Sequence, residues 1–238
     1  MANEEQPELN PPSPQRVAER ALVLAAVICR SGIERDAGNL QAEKFRDQVI
    51  AWLERLKLSS EAEPQEMGLL KTPLGKLAKK DGVDTSWRTE GLAVLAWALG
   101  KYELPSYETQ ANGPAAAEAL GFLKPREETV LHEPRLRSVE EITALSDQIF
   151  TLHWRLRQFS LEPAAIDFQE FAKTAWFGPL SLDGLRLSEK DLAIQGLPIS
   201  RATEQQWRTV MSIAQERHQA VNWLEGQEQI YSQVTTDT

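Results

Sequence analysis

The chain has 238 residues, 42% of them hydrophobic, and carries 35 acidic against 26 basic side chains, for a formal charge of −9. That length allows one large domain or two small ones, and the negative balance argues against binding to nucleic acid or anionic lipid, which both need a positive surface. One cysteine, Cys29, excludes an internal disulfide and any zinc site of cysteine type.

Residues 1–12 are acidic and proline-rich, ending in Asn10-Pro11-Pro12. They hold too little apolar surface to fold and are expected to be a disordered tail. Ser13-Pro14 then supplies a capping hydroxyl and a proline at the first helical position, so a helix is predicted from there to about Arg30. Its run Ala21–Cys29 is continuously apolar and follows Arg16 and Arg20, as an export signal would. Glu4, Glu5 and Glu8 spoil the positive leader, no small-residue cleavage site follows, and the run is far short of the roughly 20 residues that span a bilayer. A core helix is the consistent reading.

A second helix is predicted over about 40–58, with Phe45, Val49, Trp52, Leu53 and Leu56 on one stripe. A short helix follows near 64–70, then a loop through Pro73, Gly75 and Asp81-Gly82. The fourth helix is expected to start near Asp84-Thr85-Ser86 and to end at Gly100. Residues 92–99 are apolar on every face, which calls for other helices all around. The stretch 101–134 reads mostly as loop, with a short helix at 114–121.

Ser138-Val-Glu-Glu141 is a capping box that opens a long helix with Ile142, Leu145, Ile149, Leu152, Leu156 and Phe159 on its stripe. The box also accounts for Glu141, and dipole preference accounts for Glu140, so the two are not an acid/base pair. A shorter aromatic-rich helix is predicted at 166–177. Asp191–Ile194, Gln195-Gly196 and Leu197–Ile199 form an extended pair or hairpin in which Pro198 must lie on an edge. A second capping box, Thr203 with Gln206, opens a final helix that Gly226 stops. The expected fold class is mainly α: a bundle-like single domain over 13–231, a small hairpin near 191–199, and a frayed tail over 232–238.

Two segments carry a resemblance: Trp87–Gly100 and Ser212–Gly226, with Leu136-Arg137-Ser138, Glu141-Ile142, Leu152-His153-Trp154 and Asp191-Leu192 between them. Together they resemble the bacterial domain-of-unknown-function family 4272, over about residues 16–226 and without the tail at 1–12. The resemblance implies one helical unit. It brings no activity, cofactor or catalytic residue with it.

Candidate chemistry is sparse. Arg217 interrupts the stripe Val210, Ala214, Val221, Leu224, and Glu90 opens the apolar face of the fourth helix. Each charge would be costly to bury alone, so the two are expected to pair. His153 borders the apolar stripe of its helix and His218 follows Arg217 on the last helix, both expected as partly buried histidines with a hydrogen-bonded ring. Asn222 is a polar group in an apolar neighbourhood expected to hydrogen-bond across a helix interface. The third histidine, His132, lies in a loop. No two histidines have the i, i+4 spacing of a metal helix, and no phosphate loop, dinucleotide fingerprint or nucleophile elbow occurs. Seven tryptophans, Trp52, Trp87, Trp97, Trp154, Trp176, Trp207 and Trp223, read either as packing anchors or as an aromatic ligand cage. No cofactor and no metal is expected. The reading that follows is a non-enzymatic binding or interaction protein of the cytoplasm, docking an unidentified protein partner through an exposed apolar patch. The alternative is an enzyme with a polar site near Glu90, His153, Arg217 and His218, and the speculative binding residues are these four with Asn222.

Overall fold

In the computed structural model, which describes residues 9–238, the first helix begins where the sequence places it. Ser13 Oγ accepts the Arg16 N–H at 3.2 Å, Pro14 occupies the first turn, and α1 spans Pro14–Gly32. The chain folds as two compact units. The N-terminal unit comprises Ser13–Leu104 and Ala111–Arg137; the C-terminal unit comprises Pro105–Gln110, Ser138–Thr238 and the segment up to Pro12, of which residues 9–12 are described. Most of the expected disordered tail therefore lies outside the described residues. Among the described residues no helix is long and apolar enough to cross a membrane.

The N-terminal unit is built on α1. Val17 to Val27 is almost wholly buried, because α1 packs against α3 (Pro64–Lys71), α4 (Lys79–Trp87), α5 (Thr89–Ala98) and α6 (Gly113–Ala119). Helix α2 (Leu40–Arg55) starts at Asn39, whose side chain accepts the Gln41 N–H, and buries Val49, Trp52 and Leu53. The sequence reading differs from the structure at one place here. The expected loop at Asp81-Gly82 lies inside α4, and the expected single helix is two helices broken at Arg88. Tertiary contacts override the glycine: Ser31 Oγ donates to the Gly82 carbonyl at 2.9 Å, and Arg88 reaches Glu66 at 3.0 Å.

The all-round apolar helix is α5, buried from Glu90 through Ala96. Gly100 ends it with φ +67, donating to the Trp97 carbonyl while Lys101 donates to that of Ala96, the two bonds of a Schellman stop. Nothing crowds a Cβ at this position. Gly100→Ala should therefore cost only the left-handed backbone strain, about 1 kcal/mol, read as a shift in the urea midpoint with an unchanged slope.

Two buried arginines on α1 were not foreseen. Arg20 donates to the Glu61 carbonyl at 3.0 Å and pairs with the buried Glu66. Arg30 donates to the carbonyls of Thr72 and Pro73 and pairs with Glu34 at 2.7 Å. Periodicity shows only that these positions face inward. Except for Glu34, one turn from Arg30, the groups that accept their charges come from segments more than 40 residues away.

The C-terminal unit pairs two long helices, α7 (Val139–Leu161) and α9 (Glu204–Leu224), each opened by its capping box: Ser138 with Glu141, Thr203 with Gln206. Between them in the chain come α8 (Phe168–Thr174) and a three-stranded antiparallel sheet in the order β1 (Leu187–Ser188), β2 (Asp191–Ile194), β3 (Leu197–Pro198). Gln195 and Gly196, at φ +52 and +79, make the two-residue turn. Pro198 lies on the edge strand, as its missing N–H requires. The extra strand β1 is too short to carry an alternation signal. The core joins Leu152, Leu156 and Phe159 of α7 to Phe168, Leu192, Ile194 and Val210. Tyr107, from the 105–110 segment, donates its hydroxyl to the Ala193 carbonyl at 2.7 Å.

The end of the chain, expected to fray, carries a short 3-10 turn at Tyr231–Gln233. Gln219 donates to the Tyr231 carbonyl and Asn222 to the Thr235 carbonyl, at 2.8 and 2.9 Å.

Candidate functional site

Helix α7 projects Asp147, Phe150, Thr151 and Trp154 at i, i+3, i+4 and i+7, so they share one face. His153 stands beside this row. Opposite, α9 presents His218, and the two imidazoles meet with Nδ1 to Nδ1 at 2.9 Å and ring planes at 84°. Both histidines are 2% exposed. Burial, His218 and Arg157 push His153 down to about 4. Burial pushes His218 down to about 4 as well, with the charge of Asp237 opposing it. The pair is therefore neutral at pH 7. One ring must carry its proton on Nδ1 and donate it, and the other must accept there and be protonated at Nε2.

Residues 175–181 close over this face. The Gly178 N–H donates to the Ala175 carbonyl and the Leu180 N–H to that of Ala172, at 3.0 and 2.8 Å. This turn sets Trp176 and Phe177 beside α7. Phe177 meets Phe150 at 84°, Trp176 at 90° and Trp154 at 45°, with centroids 5.3–6.3 Å apart. Trp154 is stacked on Phe171 at 4.5 Å, which fixes it from behind. The result is a cleft of about 720 Å³ walled by these rings, with Asp147, Asp237 and Ser181 also lining it. Trp176 is 92% exposed, an unusual position for an indole. Thr151, 1% exposed, also lines the cleft, and its hydroxyl has no hydrogen-bond partner among the described residues. A buried orphan hydroxyl of this kind costs free energy unless something else satisfies it.

Away from the cleft a buried ion pair anchors α7 to the sheet. Arg155 and Asp191, 0% and 1% exposed, make a bidentate contact at 2.7 and 2.6 Å. Asp191 also accepts the N–H groups of Ile166 and Leu192, and Arg155 donates to the Ala164 carbonyl and to Gln158. Asp191-Leu192 was one of the resemblance segments; the structure gives Asp191 a packing role.

Of the sequence-predicted residues, His153 and His218 come into direct contact. Arg217, 5% exposed, donates to the carbonyls of Pro105 and Thr109 at 3.0 and 3.1 Å, tying the 105–110 segment to α9. Asn222 bonds the chain end at Thr235. Glu90 belongs to the N-terminal unit, where it is 1% exposed and accepts the Ala111 N–H at 2.8 Å. The cleft residues Phe150, Phe177, Asp147, Thr151 and Asp237 were missed. The signal that could have found some of them was the i, i+3, i+4, i+7 row on α7. Trp154 and Trp176 were named only among seven tryptophans.

Other candidates carry less chemistry. Among the described residues no three His, Cys, Asp or Glu side chains converge as a metal site. Cys29 lies beside an apolar pocket of the N-terminal unit, and burial pushes its thiol up to about 11, so it stays protonated.

No curated protein and no solved structure matches the chain. One family does, over residues 2–169. The match takes in residues 2–12, which the resemblance had left out, and it ends before Ser212–Gly226, so His218 and the 175–181 turn lie outside it. It spans all of α1 to α7, and on that extent the chain belongs to the family described as a domain of unknown function (DUF4272).

Proposed function

We propose that the protein is a non-enzymatic binding protein of the bacterial cytoplasm, and that the aromatic cleft of its C-terminal unit takes the ligand. One observation carries this reading: a concave site of about 720 Å³ combines four aromatic walls, an indole left 92% exposed and a buried hydroxyl without a partner among the described residues. Mostly apolar walls with a few convergent polar groups are what small-molecule sites offer. The net charge of −9 makes nucleic acid a poor partner.

The enzymatic alternative would use the histidine pair as a base. Imidazoles held near 4 accept protons poorly at neutral pH, and each already spends Nδ1 on the other. Binding is the better use of this geometry.

Tryptophan emission gives the test, since Trp154 and Trp176 both line the cleft. Titration with a chemically diverse panel of small molecules is expected to yield compounds that shift the emission saturably in the wild type. Trp176→Ala should lose about tenfold in affinity for them without a change in melting temperature, because Trp176 is exposed. Saturable ligands that bind Trp176→Ala equally well would move the site elsewhere, and turnover of any of them would overturn the non-enzymatic reading.

A further inference from the structure

We infer that the cleft selects a quaternary ammonium group, as in choline, between its aromatic walls; this deepens the reading of the cleft as the ligand site and rests on it. The first argument is charge. The lining includes two carboxylates, Asp147 and Asp237, and no lysine or arginine among the described residues. A small molecule entering this cleft therefore meets a negative potential with no cation in the lining to offset it.

The second argument is the shape of the π surface. Phe177 stands edge-to-face at 90° to Trp176 and at 84° to Phe150, so the aromatic groups lining the cleft do not lie in one plane. Aromatic faces are negative at their centres, and tryptophan attracts a cation most strongly. Trp176, 92% exposed, leaves its indole open to such a group.

The third argument separates a quaternary ammonium from a protonated amine. An amine has N–H donors and needs close acceptors in fixed directions. Here the carboxylates are on exposed residues, while the rings form the wall. A group with diffuse charge and no N–H suits that division. A further polar feature, the buried Thr151 hydroxyl without a partner among the described residues, suits a hydroxyl on the ligand's substituent. A cleft of about 720 Å³ has ample room for the head group and such a substituent.

Calorimetric titration of the full chain tests this. Choline is compared with its neutral carbon isostere, in which a tert-butyl group replaces the trimethylammonium, and with ethanolamine. Choline is expected to bind at least about tenfold more tightly than either. Trp176→Ala should lose about tenfold for choline, and Trp176→Tyr should keep most of it. Asp147→Asn should weaken choline a few-fold and flatten its salt dependence. Equal binding of choline and the isostere would overturn the charge selection and leave the cleft as an apolar site. Absence of choline binding at millimolar concentration would overturn the inference by itself, while the emission panel decides separately whether the cleft binds anything.

Discussion

Asp191→Ala is expected to destabilise the C-terminal unit by about 3–5 kcal/mol, which is a large part of the roughly 5–15 kcal/mol that typical domains have. The reason is what it leaves behind. Arg155 is 0% exposed and loses both bonds to its carboxylate, while the Ile166 and Leu192 N–H groups lose their acceptor. A guanidinium stranded in a core retains its desolvation cost without the attraction that offset it. Gln158 and the Ala164 carbonyl stay in reach, but neither carries a charge. Removing both ions should hurt less than removing one, so Arg155→Met combined with Asp191→Leu should recover much of the loss. Urea unfolding followed by circular dichroism measures the wild type and both variants. A loss below about 1 kcal/mol for Asp191→Ala would mean the pair is solvated in solution.

Acidification supplies the second large effect. His153 and His218 titrate near 6.5 when unfolded and near 4 when folded. Between those values the unfolded chain binds more protons, so stability rises with pH across that window and is lost as pH falls through it. Above about 6.5 the contribution is complete. Below about 4 both states are protonated and the loss is finished. A downward displacement of this size corresponds to about 3 kcal/mol for one buried imidazole.

The two rings do not add simply. A first proton is opposed by burial; a second also meets the first charge and leaves two Nδ1–H groups facing each other. Other groups titrate in the same range. Burial raises Glu61 and Glu225, and raised carboxyls lend stability as pH falls. The check is therefore a difference: unfolding free energy against pH for the wild type and for His153→Gln/His218→Asn. The wild-type curve should fall more steeply between pH 6.5 and 4, and parallel curves would show that the pair does not titrate with folding.

Local signals were legible because local physics makes them. Ser13, Ser138 and Thr203 cap their helices as their sequences lead one to expect, and Asn39 does so with an equally suitable side chain. The orphan N–H groups of a first turn lie within reach of a nearby oxygen, so a few adjacent residues suffice to mark the start. Gly100 and the Gln195-Gly196 turn stand where positive φ is needed. The break at Arg88 was not legible. Arg88 reaches Glu66 on another helix, and Gly82, whose carbonyl accepts from Ser31, was read as loop because propensity carries no knowledge of such partners. The histidines show the same limit. Periodicity put His153 on an apolar helix border, and nothing in either helix alone placed one Nδ1 against the other.

By itself, then, the sequence determined a mainly α-helical chain with a small hairpin, the starts of its longest helices and the absence of the familiar catalytic motifs. These follow from short-range hydrogen bonding and from the period of apolar residues. Only the tertiary structure decided which carboxylates and carbonyls meet Arg20, Arg30 and Arg155, that two histidines share a hydrogen bond, and that Trp176 stands exposed on a turn beside α7 to wall a cleft. Those outcomes depend on side chains brought together from distant parts of the chain, and a linear pattern records which face a residue takes but not what lies opposite it.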